Sequence, residues 1–156
     1  MVALTGFYAY NTYGMGTLQI KITDPPNWEE ATQVYLKYSI IEIHRADAGN
    51  TSGWSTIVDQ SAWLNLTKVV NVNQTLGSKL VQTGKYNLIR FTILDAKVTV
   101  SGTNYTATVP SSVLQIAITQ GGVSVVTGQT ATLLLDLNTK VEDAYIIVPD
   151  IRATPV

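Results

Sequence analysis

The residues able to do chemistry in this chain are few and scattered. His44 is the single histidine, set in Glu42-Ile43-His44-Arg45 near the end of a strand. A metal centre there would need other ligands, and with no cysteine in the chain only carboxylates remain. The expectation is a solvated histidine partnered by Glu42 or Asp47. A Ser/His/Asp triad needs its nucleophile on an elbow such as Gly-x-Ser-x-Gly, and the sequence contains none. Glu29-Glu30 and Glu142-Asp143 are adjacent carboxylates. Neighbours in extended chain point apart, so both pairs read as solvated turns. Asp24, before Pro25-Pro26, is expected to accept a nearby backbone amide as an Asx-turn does. Asp47 and Asn50 share a loop that is too poor in oxygen ligands for calcium. One covalent option is an isopeptide bond from Lys21, Lys37 or Lys97 to Asp136 or Asn138, with loss of water or ammonia, but no spacing marks it. Neither an enzyme nor a cofactor is expected.

Modification is a second kind of chemistry. Asn-x-Ser/Thr occurs at Asn50, Asn65, Asn73 and Asn104, where composition alone gives about two such triplets. All four fall near expected turns or strand ends, where a sugar is tolerated. The expectation is a glycoprotein carrying N-linked glycans on at least two of them.

The elements that hold these residues are strands. The chain has 156 residues, 46% hydrophobic and only 13% charged, with net charge −1. That is one domain with room for a core and no basic footprint for nucleic acid. No run of eighteen apolar residues is present, so no membrane span is expected. Met1 is not followed by a charged and then a long apolar region. The chain therefore reads as cytoplasmic or as a mature form numbered after processing, and the sequons favour the second.

Thr17 to Thr23 alternates, with Leu18, Ile20 and Ile22 on one face. Val34 to Arg45 is a long strand whose apolar phase switches from Val34, Leu36, Tyr38 and Ile40 to Ile41 and Ile43. That switch predicts a β-bulge near Ser39 to Ile41. Trp54 to Val58 returns as a strand. Ser61 to Leu80 is ambiguous, with a short helix one option over 75–80. Lys85 to Leu94 is the strongest strand, with Ile89, Phe91 and Ile93 inward. Val98 to Val109 reads as a hairpin around the turn Ser101-Gly102-Thr103-Asn104, and Val113 to Val126 as another around Gly121-Gly122. Ala131 to Leu137 and Tyr145 to Ile151 close the domain. No amphipathic helix separates the strands, which predicts an all-β, antiparallel, Ig-like sandwich over 17–156.

Leu18 to Pro25, Ile43-His44-Arg45 with Trp54, Gly84 to Arg90, Leu133 to Asp136 and Ile147-Val148-Pro149 resemble a family of secreted archaeal and bacterial β-sandwich domains of unknown function. The likeness runs from about Gly16 to Ile151. Bacterial members are often anchored through a lipidated cysteine, a mode that this chain cannot share. In architecture the chain also resembles archaeal thread-type and bundling pilus subunits, sandwiches joined by donor-strand complementation. That second resemblance rests on no residue motif.

It is prompted by residues 1–16. Val2 to Tyr13 is strand-like, aromatic and uncharged, and Gly14-Met15-Gly16 releases it. Val2, Leu4, Tyr8 and Tyr10 share a face, with Phe7 out of phase. Such a segment can enter a neighbour's sheet, pair in cis, or trail as a tail. The reading adopted is the first: Val2, Leu4, Phe7, Tyr8 and Tyr10 form a donor strand, and Gly14 and Gly16 form its hinge. The protein is then a subunit of an extracellular, cell-surface filament whose partners are copies of itself. A monomeric cell-surface module for adhesion or glycan binding is the alternative, with Trp28, Trp54 or Trp63 as stacking platforms or, equally, as core residues.

Overall fold

The computed structural model describes residues 14–24, 28, 31–49, 52–70, 72–110, 112–142, 145–148 and 150–156. Sheet A runs in the order β12 (Arg152–Pro155), β9 (Thr130–Asp136), β1 (Met15–Thr23), β4 (Gln74–Gln82). Sheet B runs β3 (Trp54–Asn65), β2 (Gln33–Arg45), β5 (Gly84–Val100). The far edge of β5 is shared in succession by β8 (Val123–Val125), β7 (Val113–Ala117) and β6 (Thr103–Thr106). A small ladder joins β10 (Lys140–Glu142) to β11 (Ile146–Val148). The only helical element among the described residues is a 3-10 turn over Leu66–Val69, capped by the Asn65 side chain.

The two sheets close on each other because their inner positions are apolar and β-branched. Leu18, Ile20 and Ile22 of β1 and Leu133 and Leu135 of β9 are fully buried, as are Val34, Leu36, Ile41 and Ile43 of β2 and Ile89 and Phe91 of β5. Each such side chain contributes roughly 1.5–3 kcal/mol of burial free energy. The all-β sandwich expected from the periodicity is the observed architecture.

The bulge is where the phase switch places it. The register of β2 slips against β3 between Tyr38 and Ile40, and against β5 between Tyr38 and Ile41. Other details differ from expectation. The sandwich is not wholly antiparallel: β1 pairs with β9 in parallel, Thr17 beside Thr130 through Thr23 beside Asp136. Residues 75–80 belong to β4 and are not helical. Residues 113–126 do not form one hairpin, since β7 and β8 both pair with β5. The hairpin after Val100 is present, but its turn is tighter than the expected four residues 101–104, since Thr103 and Asn104 already belong to β6. Val100 pairs with Thr103 around Ser101 (φ 52°) and Gly102 (φ 78°), the left-handed pair that matches strand twist in a two-residue hairpin.

Candidate functional site

The first strand begins at Met15, two residues ahead of the expected start of the sandwich at residue 17. Val2, Leu4, Phe7, Tyr8 and Tyr10 lie outside the described residues, as does Asn50. The junction they lead into is firmly tied. Thr83 N–H donates to Gly14 O at 2.7 Å, and Gly128 N–H to Met15 O at 3.1 Å. Arg45 braces the same corner, with Nη1 donating to Thr83 O at 3.2 Å and Nε paired to Asp47 at 3.2 Å. Gly14 has φ +78° with nothing within 4 Å of an added Cβ, so it holds the conformational freedom a hinge uses. Gly16 is already inside β1, beside Val81. A Cβ there would sit 2.4 Å from Val126 O and 2.6 Å from Val125 Cγ1, so this glycine serves close packing.

The two flanks of the sandwich differ. On one, β12 reaches across to sheet B: Ala153 bridges Ile118, Thr119 N–H donates to Ala153 O at 2.9 Å, and the Thr119 and Thr154 hydroxyls meet at 3.1 Å. On the other, β3 and β4 each end their sheet among the described residues. There the sheets nearly touch, with Val58 Cγ2 3.0 Å from where a Cβ on Gly77 would lie.

The β4 edge can be described amide by amide. Residues of an antiparallel pair alternate between those bonded across the ladder and those facing away. Thr83 bonds Gly14, so Val81, Lys79 and Gly77 turn toward β1, while Ser78 and Leu80 turn their N–H and C=O outward. Leu80 is 52% exposed. Lys79 lies opposite Leu18, which puts a lysine on the inner face at the rim, a device that discourages promiscuous edge pairing.

The outer face of sheet B carries aromatic and cationic groups. Trp63 is 41% exposed, with Lys97 Nζ 4.7 Å and Lys37 Nζ 6.0 Å from its ring centre. Further along, the Arg90 guanidinium lies 4.0 Å over Trp54 and takes Glu42 bidentately at 3.0 and 3.1 Å. Trp28 is buried in the core.

Several sequence expectations change here. His44 is buried, not solvated. Its Nε2 lies 2.7 Å from Gly49 O, Nδ1 3.4 Å from Asn87 Oδ1, and its ring packs on Trp54. Its expected partners are taken, Glu42 by Arg90 and Asp47 by Arg45. Lys37 and Lys97 stand at Trp63, and Asp136 Oδ1 accepts the Asn138 amide at 3.2 Å, so these lysines are not poised for an isopeptide bond. Among the described residues the amide that Asp24 accepts is a distant one, and the residues just after it lie outside the described set. Asp24 accepts Thr139 N–H at 2.9 Å, and burial pushes its carboxyl up to about 6. The Thr139 amide and hydroxyl and the Trp28 indole oppose that rise, and Asp136 adds to it. A polar depression of about 400 Å³ opens beside this cluster, lined by Asp136, Asn138, Asp150 and Arg152 among others. No group of three metal-ligating side chains is present among the described residues. Of the sequons, Asn73 and Asn104 are exposed, while Asn65 is half-buried with its Oδ1 accepting Thr67 N–H at 3.0 Å.

The Lys37–Trp63–Lys97 cluster and the outward amides of β4 escaped the sequence reading. The first is assembled from three strands by register, and the second requires knowing which strand ends the sheet.

The fold defines an all-β sandwich domain, one flank of which is bridged between the sheets while the other ends, among the described residues, in β3 and β4. Residues 15–145 match the family described as Domain of unknown function (DUF4382), and the chain belongs to that family. No curated protein and no solved structure matches it.

Proposed function

We propose that this protein is a structural subunit of an extracellular filament, in which residues 2–13 of one copy complete the sandwich of the next. One observation carries the reading. β1 takes both of its neighbours, β4 and β9, from later in the same chain, and the family match also begins at residue 15. The described core is thus assembled from residues 14 onward, around a β1 whose two neighbours come from later in the chain. Those residues are uncharged and rich in aromatics, a composition that favours burial, and an extended segment gains both a ladder and a groove by adding to an open sheet. Head-to-tail contacts of this kind need not close, so they propagate into fibres. Assembly, not catalysis, is then the activity, and N-linked glycans would decorate the filament. Size exclusion and negative-stain imaging of the full chain test this: filaments support it, and a stable monomer with residues 2–13 paired at home refutes it.

A second reading, a surface module binding saccharides, is favoured by Trp63 alone. An exposed indole flanked by two ammonium groups suits an acidic sugar ring. Loss of binding in Trp63→Ala, measured by titration with acidic polysaccharide, would support it.

A further inference from the structure

We infer that the acceptor surface for residues 2–13 of a second copy is the free edge of β4. The inference rests on the filament reading above and adds the site.

Four features of the described residues point there. First, the opposite flank is tied shut by the Ala153–Ile118 bridge and the Thr119 bonds, and the remaining short strands β6, β7 and β12 offer only four or five residues each. β12 also ends in Pro155, which cannot donate to a ladder. Second, β4 presents the more regular edge. Its pairing with β1 is continuous from Gln82 to Gly77 and slips once, between Gly77 and Thr75. β3, its rival, slips twice against β2, between Tyr38 and Ile40 and between Ile41 and Glu42. Slips of that kind bend an edge away from further pairing. Third, the chemistry agrees. The outward-turned residues Ser78 and Leu80 are uncharged, like every residue from 2 to 13, whereas β3 exposes Asp59 at its slip. Fourth, the chain departs at Gly14, beside Thr83 at the end of β4. The point from which residues 2–13 leave the sandwich is therefore the end of the β4 edge itself.

Lys79 fits this assignment as a gate. Its register puts it on the inner face at the rim of the edge, where it is already exposed. Its charge opposes non-specific pairing there, while its flexible stem keeps the ammonium in water when a matching strand arrives.

Amide hydrogen exchange on the full chain, assembled and as the monomer fraction, reads the site without needing the register of the incoming strand. Assembly should slow exchange at Ser78 and Leu80 by about 100-fold or more, with 54–65 little changed. Leu80→Pro, which deletes one outward N–H at an edge position, should abolish filaments while the monomer keeps its β circular dichroism. Filaments that protect 54–65 in place of 74–82 would overturn the β4 assignment and leave the filament reading standing. A full chain that never assembles, or a monomer in which β4 is already protected, would overturn both.

Discussion

The carboxyl of Asp24 and the amide of Thr139, 115 positions apart in sequence, share a buried hydrogen bond of 2.9 Å. It pins the end of β1 to the chain leaving β9, just beyond their parallel ladder. Because the carboxyl is held up at about 6 from 3.8, the folded chain keeps a proton that the unfolded chain has already lost between those values. Stability therefore falls as pH rises through that window, by at most about 3 kcal/mol. Asp47, lowered by its hydrogen bond to Arg45, acts in the opposite direction, but it is exposed and its effect is small. The thermal midpoint should be higher at pH 4 than at pH 7, and Asp24→Asn should flatten the difference. A wild-type midpoint that rises toward neutrality contradicts this account of Asp24.

Gly14 and Gly16 should respond differently to alanine. Gly14→Ala meets no neighbour and suffers only from its left-handed backbone, about 1 kcal/mol. Gly16→Ala drives a methyl against the Val126 carbonyl and should cost more, toward the upper end of roughly 1–3 kcal/mol. Urea unfolding of the two variants ranks them, and an equal cost would mean that β1 shifts freely against the 125–128 turn.

Leu4→Asp or Tyr8→Asp should leave the sandwich folded and remove filaments. Each puts a charge into a segment that has none, and the desolvation of an unpaired carboxylate outweighs the gain of one buried side chain. Sedimentation separates polymer from monomer. Unchanged fractions would show that the first thirteen residues take no part in assembly.

Glu42→Ala should destabilise the monomer by roughly 1–2 kcal/mol. It leaves the Arg90 guanidinium on the face of Trp54 without its bidentate acceptor. Replacing both residues in a double-mutant cycle should recover part of the loss, whereas strict additivity would show the pair to be uncoupled.

Glycan occupancy in native material should follow exposure. Asn73 and Asn104 should carry sugar ahead of Asn65, which is half-buried and engaged as a cap. Peptide mapping by mass spectrometry gives the order, and a modified Asn65 with bare Asn73 would reverse it.

The long alternating strands were legible because burial imposes a period of two on them. Leu18, Ile20 and Ile22, and likewise Ile89, Phe91 and Ile93, occupy the inner faces that their spacing demands. The slip in β2 was legible for the same reason. The edge strand β4 was not: with Gly77 and Lys79 at inner positions, it lacks the apolar alternation that a core strand must show. Asp24 reads in sequence as the acceptor of a nearby amide and His44 as solvated, yet both are buried. Their neighbours in sequence suggested a local partner for the one and water for the other, whereas Asp24 meets Thr139 from far along the chain and His44 is closed in by Gly49 of the next loop and by Asn87. Nothing local encodes that Thr139 will lie beside Asp24, or that Gly49 and Asn87 will enclose the imidazole.

The parallel union of β1 with β9 joins residue 17 to residue 130, and this has a bearing on when the protein can mature. The strand at Met15–Thr23 sits inside its sheet, yet one of its two partners is made more than a hundred residues later. Pairings of such long range form late and slowly. Sheet A therefore stays pliant on a nascent copy until residues 130–136 have been made.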